Sequence, residues 1–240
     1  VAQAVAQGAQ LVALPEYFPI MGLSDADKFA VREVDGQGAI QDFLAATARK
    51  HGIWLVGGSL PLVAAEAGKV LNSCLVFDPR GERVARYDKI HLFGFQKGAE
   101  RYNESATIEA GSQPVVFEAP FGRVGVSICY DIRFPELYRA QGAVDLQIIP
   151  AAFTETTGRA HWEILLRARA IENQCYVLAV AQGGKHENGC ETHGNSMLID
   201  PWGIILDRLP KGPGIVIGDV DHARIADIRA SLPALKHRVM

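Results

Sequence analysis

The chain repeats part of itself, and that repeat limits the possible folds more than any single motif does. Residues 72–89, NSCLVFDPRGERVARYDK, are echoed by residues 195–211, NSMLIDPWGIILDRLPK. Each copy opens with Asn-Ser, runs through an apolar stretch, turns at Asp-Pro-x-Gly and leaves on a second strand-like stretch. The proline pre-sets the turn and the glycine tolerates its tight end, so each copy predicts a β-hairpin. Upstream of each lies a helical pattern feeding an apolar strand that ends in Gly-Gly: DFLAATARKHGIWLVGGS (42–59) and LLRARAIENQCYVLAVAQGG (165–184). Further upstream, GAQLVALPEYF (8–18) matches GAVDLQIIPAAF (142–153), both strand–Pro–x–x–Phe.

The chain is therefore expected to be two α+β halves of similar design. Strands of this mixed character are buried on both faces when two sheets pack together with helices outside, which predicts a four-layer αββα sandwich of α/β class. At 240 residues and 48% hydrophobic there is ample core, and no linker-like tract interrupts it, so residues 1–240 are expected to form a single domain. The chain opens inside a helix-like piece, VAQAVAQG, without a starting Met, so a first strand is expected to precede it in the natural protein.

A formal net charge of −3 gives no electrostatic case for a nucleic-acid or anionic-membrane partner. The longest apolar runs, such as 175–181, are strand-sized and far short of a membrane span. Four cysteines (Cys74, Cys129, Cys175, Cys190) do not make a disulfide framework at this length, and no signal peptide is visible. A cytoplasmic setting is expected.

Three residues invite a chemical reading. In VGVSICYDIRFPELYR (124–139), an alternating strand stops at Cys129 and a helix starts at Pro135. A thiol at such a corner lies near free backbone N–H groups, which lower a thiol pKa and can hold an oxyanion; a small buried hydrophobe is the alternative. A thiol nucleophile needs a base. His91 and His161 come without an orienting Asn or Asp, whereas Glu16 ends an apolar strand directly after Pro15, where desolvation favours proton exchange. The second copy has Ala151 at this place, so the repeat itself does not require a carboxylate there. A solvated strand-end carboxylate is its alternative reading. Lys89 ends the first hairpin before an irregular aromatic and glycine-rich segment, HLFGFQKGAERYNES, and reads either as a surface lysine or as a fixed positive charge for an oxyanion.

Together LPEYF around Glu16, YDKIHLF around Lys89 and SICYDIRFPELYR around Cys129, in this order, resemble the nitrilase, or carbon–nitrogen hydrolase, superfamily. The resemblance runs nearly the whole chain and implies the αββα sandwich, a Glu16–Lys89–Cys129 triad and a supporting glutamate at Glu104 in RYNES. It implies further that the Tyr130 backbone N–H helps hold an oxyanion, that Arg133 meets a substrate carboxylate, and that Phe153 and Thr154 lie beside the pocket. An ion pair of Arg133 with Asp131 or Glu136, and ordinary loop packing for Phe153 and Thr154, are the bland readings of the same residues. No metal or organic cofactor is implied. The second half, AAFTETTGRAHWEILLRARAIENQCYVLAVAQGGKH with GNSMLIDPWG and SLPALKHR, resembles the Nit-type branch. Within it, ENQCYVLAVAQGGKH is more similar to the deaminated glutathione amidases than to the ω-amidases. That activity splits the γ-amide of an α-keto analogue of glutathione into 2-oxoglutarate and cysteinylglycine. The family's habit implies a homodimer or higher homo-oligomer, with 134–138 and HWEILLRARAI as surfaces.

The loop HENGCETHGNS departs from the branch, with Cys190 and His193 in place of an arginine and an aromatic residue. It also feeds a rival, since His186, Cys190 and His193 have spacings compatible with metal ligation. An ω-amidase, a nitrile or N-carbamoyl hydrolase with the same triad, and a non-catalytic scaffold compete as well. Gly57–Gly58 and Gly183–Gly184 lack a nucleotide-binding context and read as strand-end turns.

Overall fold

The computed structural model describes residues 1–98 and 100–239. It divides into two compact units, Val1–Gln113 with Lys185–Cys190, and Pro114–Gly184 with Glu191–Met240. In the first, α1 (Ala2–Ala6) leads to β1 (Leu11–Ala13), and α2 (Ala39–His51) leads to β2 (Trp54–Val56), β3 (Leu60–Val63), β4 (Val70–Phe77) and β5 (Arg83–Asp88). β1 and β2 are parallel; β4 lies antiparallel to β2, β3 and β5. α2 buries Leu44 and Ala48, one turn apart, against Leu55, Leu60, Leu62, Leu75 and Phe77. It stops at Gly52, whose φ of 64° is the left-handed cap that glycine adopts without strain.

The segment after Lys89, expected to be irregular, instead forms a second hairpin, β6 (Gly94–Lys97) with β7 (Glu100–Asn103), placing Phe95 opposite Tyr102. The Phe93 ring lies 6.1 Å from Phe95 and 5.4 Å from Tyr102, the aromatic contacts that hold a short hairpin.

The second unit contains β8 (Val115–Ala119), β9 (Gly122–Val126), α3 (Pro135–Gln141), β10 (Leu146–Ala151), α4 (Glu155–Asn173) and β11 (Tyr176–Ala181). It continues with β13 (Glu191–His193), β14 (Ser196–Ile199), β15 (Ile205–Leu209), α5 (His222–Ser231) and α6 (Ala234–His237), while β12 (Gly183–Lys185) runs across the division. Its main sheet has the order β15-β14-β11-β10-β9-β8. α4 buries Trp162, Leu166 and Ala170, four residues apart, and the Trp162 indole N–H donates to the Asn195 carbonyl at 2.9 Å. α4 starts at Glu155, where the Thr154 hydroxyl caps it by accepting the Thr157 N–H at 3.3 Å.

The repeat is borne out strand by strand. β1-β2-β4-β5 and β10-β11-β14-β15 each pair parallel, then antiparallel, then antiparallel, and each closes on the Asp-Pro-x-Gly hairpin. The α/β class is observed in both units. No helix of the described residues is long and apolar enough to cross a membrane.

Candidate active site

In the first unit, Glu16 is placed by a turn just past β1. The Leu14 N–H still bonds to the Val56 carbonyl at 2.9 Å, after which Pro15 leads the chain away from the sheet. Tyr17 then adopts φ 54°, a left-handed value that costs a bulky residue about 1–2 kcal/mol, and its N–H is held by the Ser59 hydroxyl at 3.0 Å. Gly58 permits this turn: with φ at 56°, a Cβ there would lie 2.1 Å from the Pro15 carbonyl oxygen. The glycine read as a strand-end turn is thus the surface on which the Glu16 segment rests. The Glu16 side chain ends up 1% exposed.

Lys89 comes in from the end of β5. Its N–H bonds to the Asn72 carbonyl at 2.9 Å, extending the β4–β5 ladder by one pair, and its side chain is also 1% exposed. Its Nζ lies 3.0 Å from Glu16 Oε1, 3.0 Å from Glu104 Oε1 and 2.8 Å from Glu104 Oε2. Glu104, on a single 3₁₀ turn after β7, is fixed reciprocally: its N–H donates to the Phe93 carbonyl at 2.9 Å and its Oε2 accepts the Phe93 N–H at 2.6 Å. The β6–β7 hairpin therefore sets the position of this carboxylate. The Asn72 side chain completes the group, with Nδ2 donating to Glu16 Oε1 at 2.9 Å.

The bonds of Lys89 set two carboxyl groups against one ammonium. The strain falls on Glu104: burial pushes its carboxyl above the usual range, Lys89 pulls it back, and the charge on Glu16 pushes it up again. A buried cluster of this kind is a poor way to stabilise a fold, since a lysine sealed from water is tolerated only with its partners in place. It suits a site that holds a positive charge beside a proton acceptor.

In the second unit, Ser127 N–H still bonds to the Ile148 carbonyl at 3.2 Å, and Ile128 is extended. Cys129 then turns to φ 51° and opens a 3₁₀ turn over Cys129–Arg133. Asp131 locks that turn from beneath: its Oδ2 accepts the Ile128 N–H at 2.9 Å and its own N–H returns to the Ile128 carbonyl at 3.1 Å. Arg169 donates to the Ile132 carbonyl at 2.9 Å, and Ser127 and Tyr138 share a hydroxyl pair at 2.8 Å. The thiol thus sits on a strained left-handed corner, held by buried polar groups and followed at once by the Tyr130 N–H. Strain of this kind collects where geometry serves chemistry.

Arg133 turns toward neither of its expected sequence neighbours in the bonds observed. Its guanidinium lies over the Tyr130 ring at 5.6 Å and the Phe153 ring at 5.3 Å, with one nitrogen 3.2 Å from His161 Nδ1. Phe153 packs on Trp162 at 4.7 Å between ring centroids, and Thr154 serves as the cap of α4. Both residues are largely buried.

The structure brings Glu16, Lys89 and Glu104 together within the first unit, and Cys129, Tyr130, Arg133 and Phe153 into one stretch of the second. It adds Asn72, Ser59 and Asp131, which the sequence alone does not single out. For Asn72 a signal exists: the hairpin register places it opposite Lys89, because Ser73 pairs with Asp88. Of the loop that suggests a metal, His193 Nδ1 lies 3.2 Å from Glu155 Oε2 and the Tyr102 hydroxyl 4.0 Å from Cys190 Sγ. No group of three or more His, Cys, Asp or Glu among the described residues is placed to hold a metal ion.

Known proteins match this chain along nearly all of its length. The carbon–nitrogen hydrolase family profile covers residues 1–230. A deaminated glutathione amidase of Synechocystis is 45% identical, covering 98% of this chain and 88% of its own, and an omega-amidase of Danio rerio is 39% identical, covering 99% and 86%. The crystal structure of the C. elegans NitFhit protein superposes with a TM-score of 0.86 at 38% identity over 99% of this chain, which spans 59% of that longer one. Sequence and fold agree, and the chain belongs to the carbon–nitrogen hydrolase family.

Proposed function

We propose that this protein is an amidase that cleaves deaminated glutathione through a thioester on Cys129, with Glu16 as the base and Lys89 as the fixed charge. The observation that carries the reading is the buried Lys89 ammonium held between Glu16 and Glu104. In this scheme Glu16 takes the thiol proton as Cys129 Sγ bonds to the amide carbon. The carbonyl oxygen becomes an oxyanion held by Lys89 Nζ and the Tyr130 N–H. The C–N bond then breaks, and the departing nitrogen takes the proton from Glu16. Water gives a proton to Glu16 and adds to the thioester; the C–S bond breaks and the thiol is restored. The amine that leaves is cysteinylglycine and the acid is 2-oxoglutarate. The identity to a deaminated glutathione amidase supports this substrate, and the guanidinium of Arg133, seated over two rings, suits its carboxylate.

A second reading, hydrolysis of α-ketoglutaramate with ammonia as the leaving group, is supported by the identity to an omega-amidase. Hydrolysis of both substrates measured side by side separates the two. Clear preference for deaminated glutathione supports the first reading, preference for α-ketoglutaramate reassigns the enzyme, and silence on both rejects them together. The proposal takes the chain to act as one catalytic domain, as the near full-length family match supports, and as a cytoplasmic homo-oligomer. Exposed Ile164 and Ile171 on α4, with exposed Trp202 and Ile204 flanking Gly203 beside Ile171, form an apolar surface that supports association.

The two carboxyl groups of the cluster make Glu104 separable in its effects. Glu104→Gln removes the second carboxyl while leaving the Lys89–Glu16 pair, so turnover is expected to fall about 10- to 100-fold through loss of the lysine's placement. The melting temperature is expected to stay level or rise, because the carboxyl that burial disfavours is gone. A variant with lower melting temperature and full turnover would contradict this account of Glu104.

A further inference from the structure

Asn72 is as buried as the residues it touches, at 1% exposure, and its side chain is asymmetric in its bonding. Nδ2 donates to Glu16 Oε1 at 2.9 Å, the same oxygen that Lys89 Nζ reaches at 3.0 Å. Its Oδ1 is buried with no hydrogen-bond partner among the described residues. An unsatisfied buried acceptor is a standing cost, and an apolar side chain of similar volume would avoid it. What the amide contributes is the N–H on Glu16.

We infer that Asn72 is a positioning residue for the reaction proposed above: with Lys89, it pins one carboxylate oxygen of Glu16 and so fixes the orientation of the base. The last torsion of a glutamate is broad and nearly two-fold, so each donor held on one of its oxygens narrows the angles open to the carboxylate. Lys89 Nζ and Asn72 Nδ2 meet on one oxygen, and together they restrict the rotation and the direction in which the second oxygen points. A second lysine or an arginine would hold the oxygen too, but would add charge to the base and oppose its taking a proton. A neutral amide orients it without that penalty.

The repeated half supports this assignment. Asn195 stands at the same place in the second hairpin, where Nδ2 donates to the His193 carbonyl at 2.9 Å and Oδ1 accepts from Arg208 at 2.6 Å. There the counterpart of Glu16 is Ala151, and both ends of the asparagine are satisfied by local structure. The first-half asparagine gives up one of its bonds, and its Nδ2 goes to the carboxylate that the second half lacks.

The test uses Asn72→Leu, which removes the donor at similar volume, and Asn72→Asp, which keeps the shape and turns a carboxyl toward Glu16. Steady-state kinetics are measured on whichever keto-amide the unaltered protein hydrolyses, with melting temperature as the fold control. A positioning role predicts a kcat about 30- to 100-fold lower with KM within about threefold, the size of effect that a misplaced catalytic group produces. The rate of Cys129 alkylation by iodoacetamide, measured in the native and Glu16→Gln backgrounds, reads whether the effect passes through Glu16. It should change on Asn72→Leu in the native background and show no added change in Glu16→Gln. A kcat within about threefold of native, an equal effect in both backgrounds, or failure of both variants to fold would each overturn the inference and leave the amidase reading intact. An unaltered protein inactive on both substrates would overturn that reading, and this inference with it.

Discussion

Cys129→Ala is expected to abolish hydrolysis of either keto-amide, a fall on the order of 10⁴-fold or more, because the covalent route has no substitute at that carbon. The loss should come without unfolding. The alanine keeps the Cβ that makes φ 51° costly, and the Asp131 carboxylate still clamps the Ile128 N–H, so the corner remains as built. The four cysteines also differ enough to make the assignment checkable by chemistry. Burial pushes the Cys74 thiol far up and lifts Cys175 to about 12, so neither offers a thiolate at neutral pH. That leaves Cys129 and the half-exposed Cys190 for a soft alkylating reagent. Iodoacetamide titrated against native protein and a Cys190→Ser variant should abolish turnover in both at one equivalent on Cys129, with mass spectrometry locating the adduct. Hydrolysis that survived in Cys129→Ala would remove the thioester from the mechanism.

Lys89→Met is expected to damage both activity and fold. The methionine fills much the same volume, but Glu16 and Glu104 then share a buried space without the ammonium between them. Breaking a buried ion cluster by removing its cation typically costs about 3–5 kcal/mol, and turnover should fall by roughly a thousandfold or more once the oxyanion loses its counter-charge. The stability loss should depend on pH in a definite direction. Burial and the charge of Glu16 already raise the Glu104 carboxyl, and Lys89 is what holds it down. Without the lysine, folded Glu104 keeps its proton to still higher pH, while unfolded Glu104 releases it at about 4.3. The folded state therefore binds more protons than the unfolded state above that value, and stability falls as pH rises through the window up to the raised carboxyl. Urea midpoints of native protein and variant at pH 5 and pH 8 check this. The gap between them should be wider at pH 8, and equal midpoints at pH 8 would show that the cluster contributes nothing to stability.

Much of this architecture is written along the chain. Asp-Pro-x-Gly turns between apolar stretches determine the two hairpins because the turn conformation belongs to the turn residues themselves, and the near-duplicate segments carry the same pairing into both halves. The motifs around Glu16, Lys89 and Cys129 are legible as well, as residue types at strand ends where apolar periodicity breaks off.

Tertiary structure decided the rest, because the contacts that define the site close over long spans of chain. Lys89 meets Glu16 across 73 residues, and Asn72 meets it across 56, distances over which no local propensity acts. The β6–β7 hairpin is hidden because its signal is a few cross-strand aromatic contacts, and it matters through Glu104, whose place depends on Phe93. The resemblance sets Thr154 beside the pocket, with loop packing as its alternative, and only the fold shows that its hydroxyl also caps α4, since a hydroxyl's bonds are set by which N–H lies within reach. Sequence alone determined the repeated α/β halves, their hairpins and the candidate reactive residues, all properties of neighbours along the chain. The resemblance groups Lys89 with Glu16 and Glu104, but only the folded structure decided that the ammonium would be sealed from water between them, with an asparagine donating to one, because burial and charge pairing arise between residues that the chain itself keeps apart.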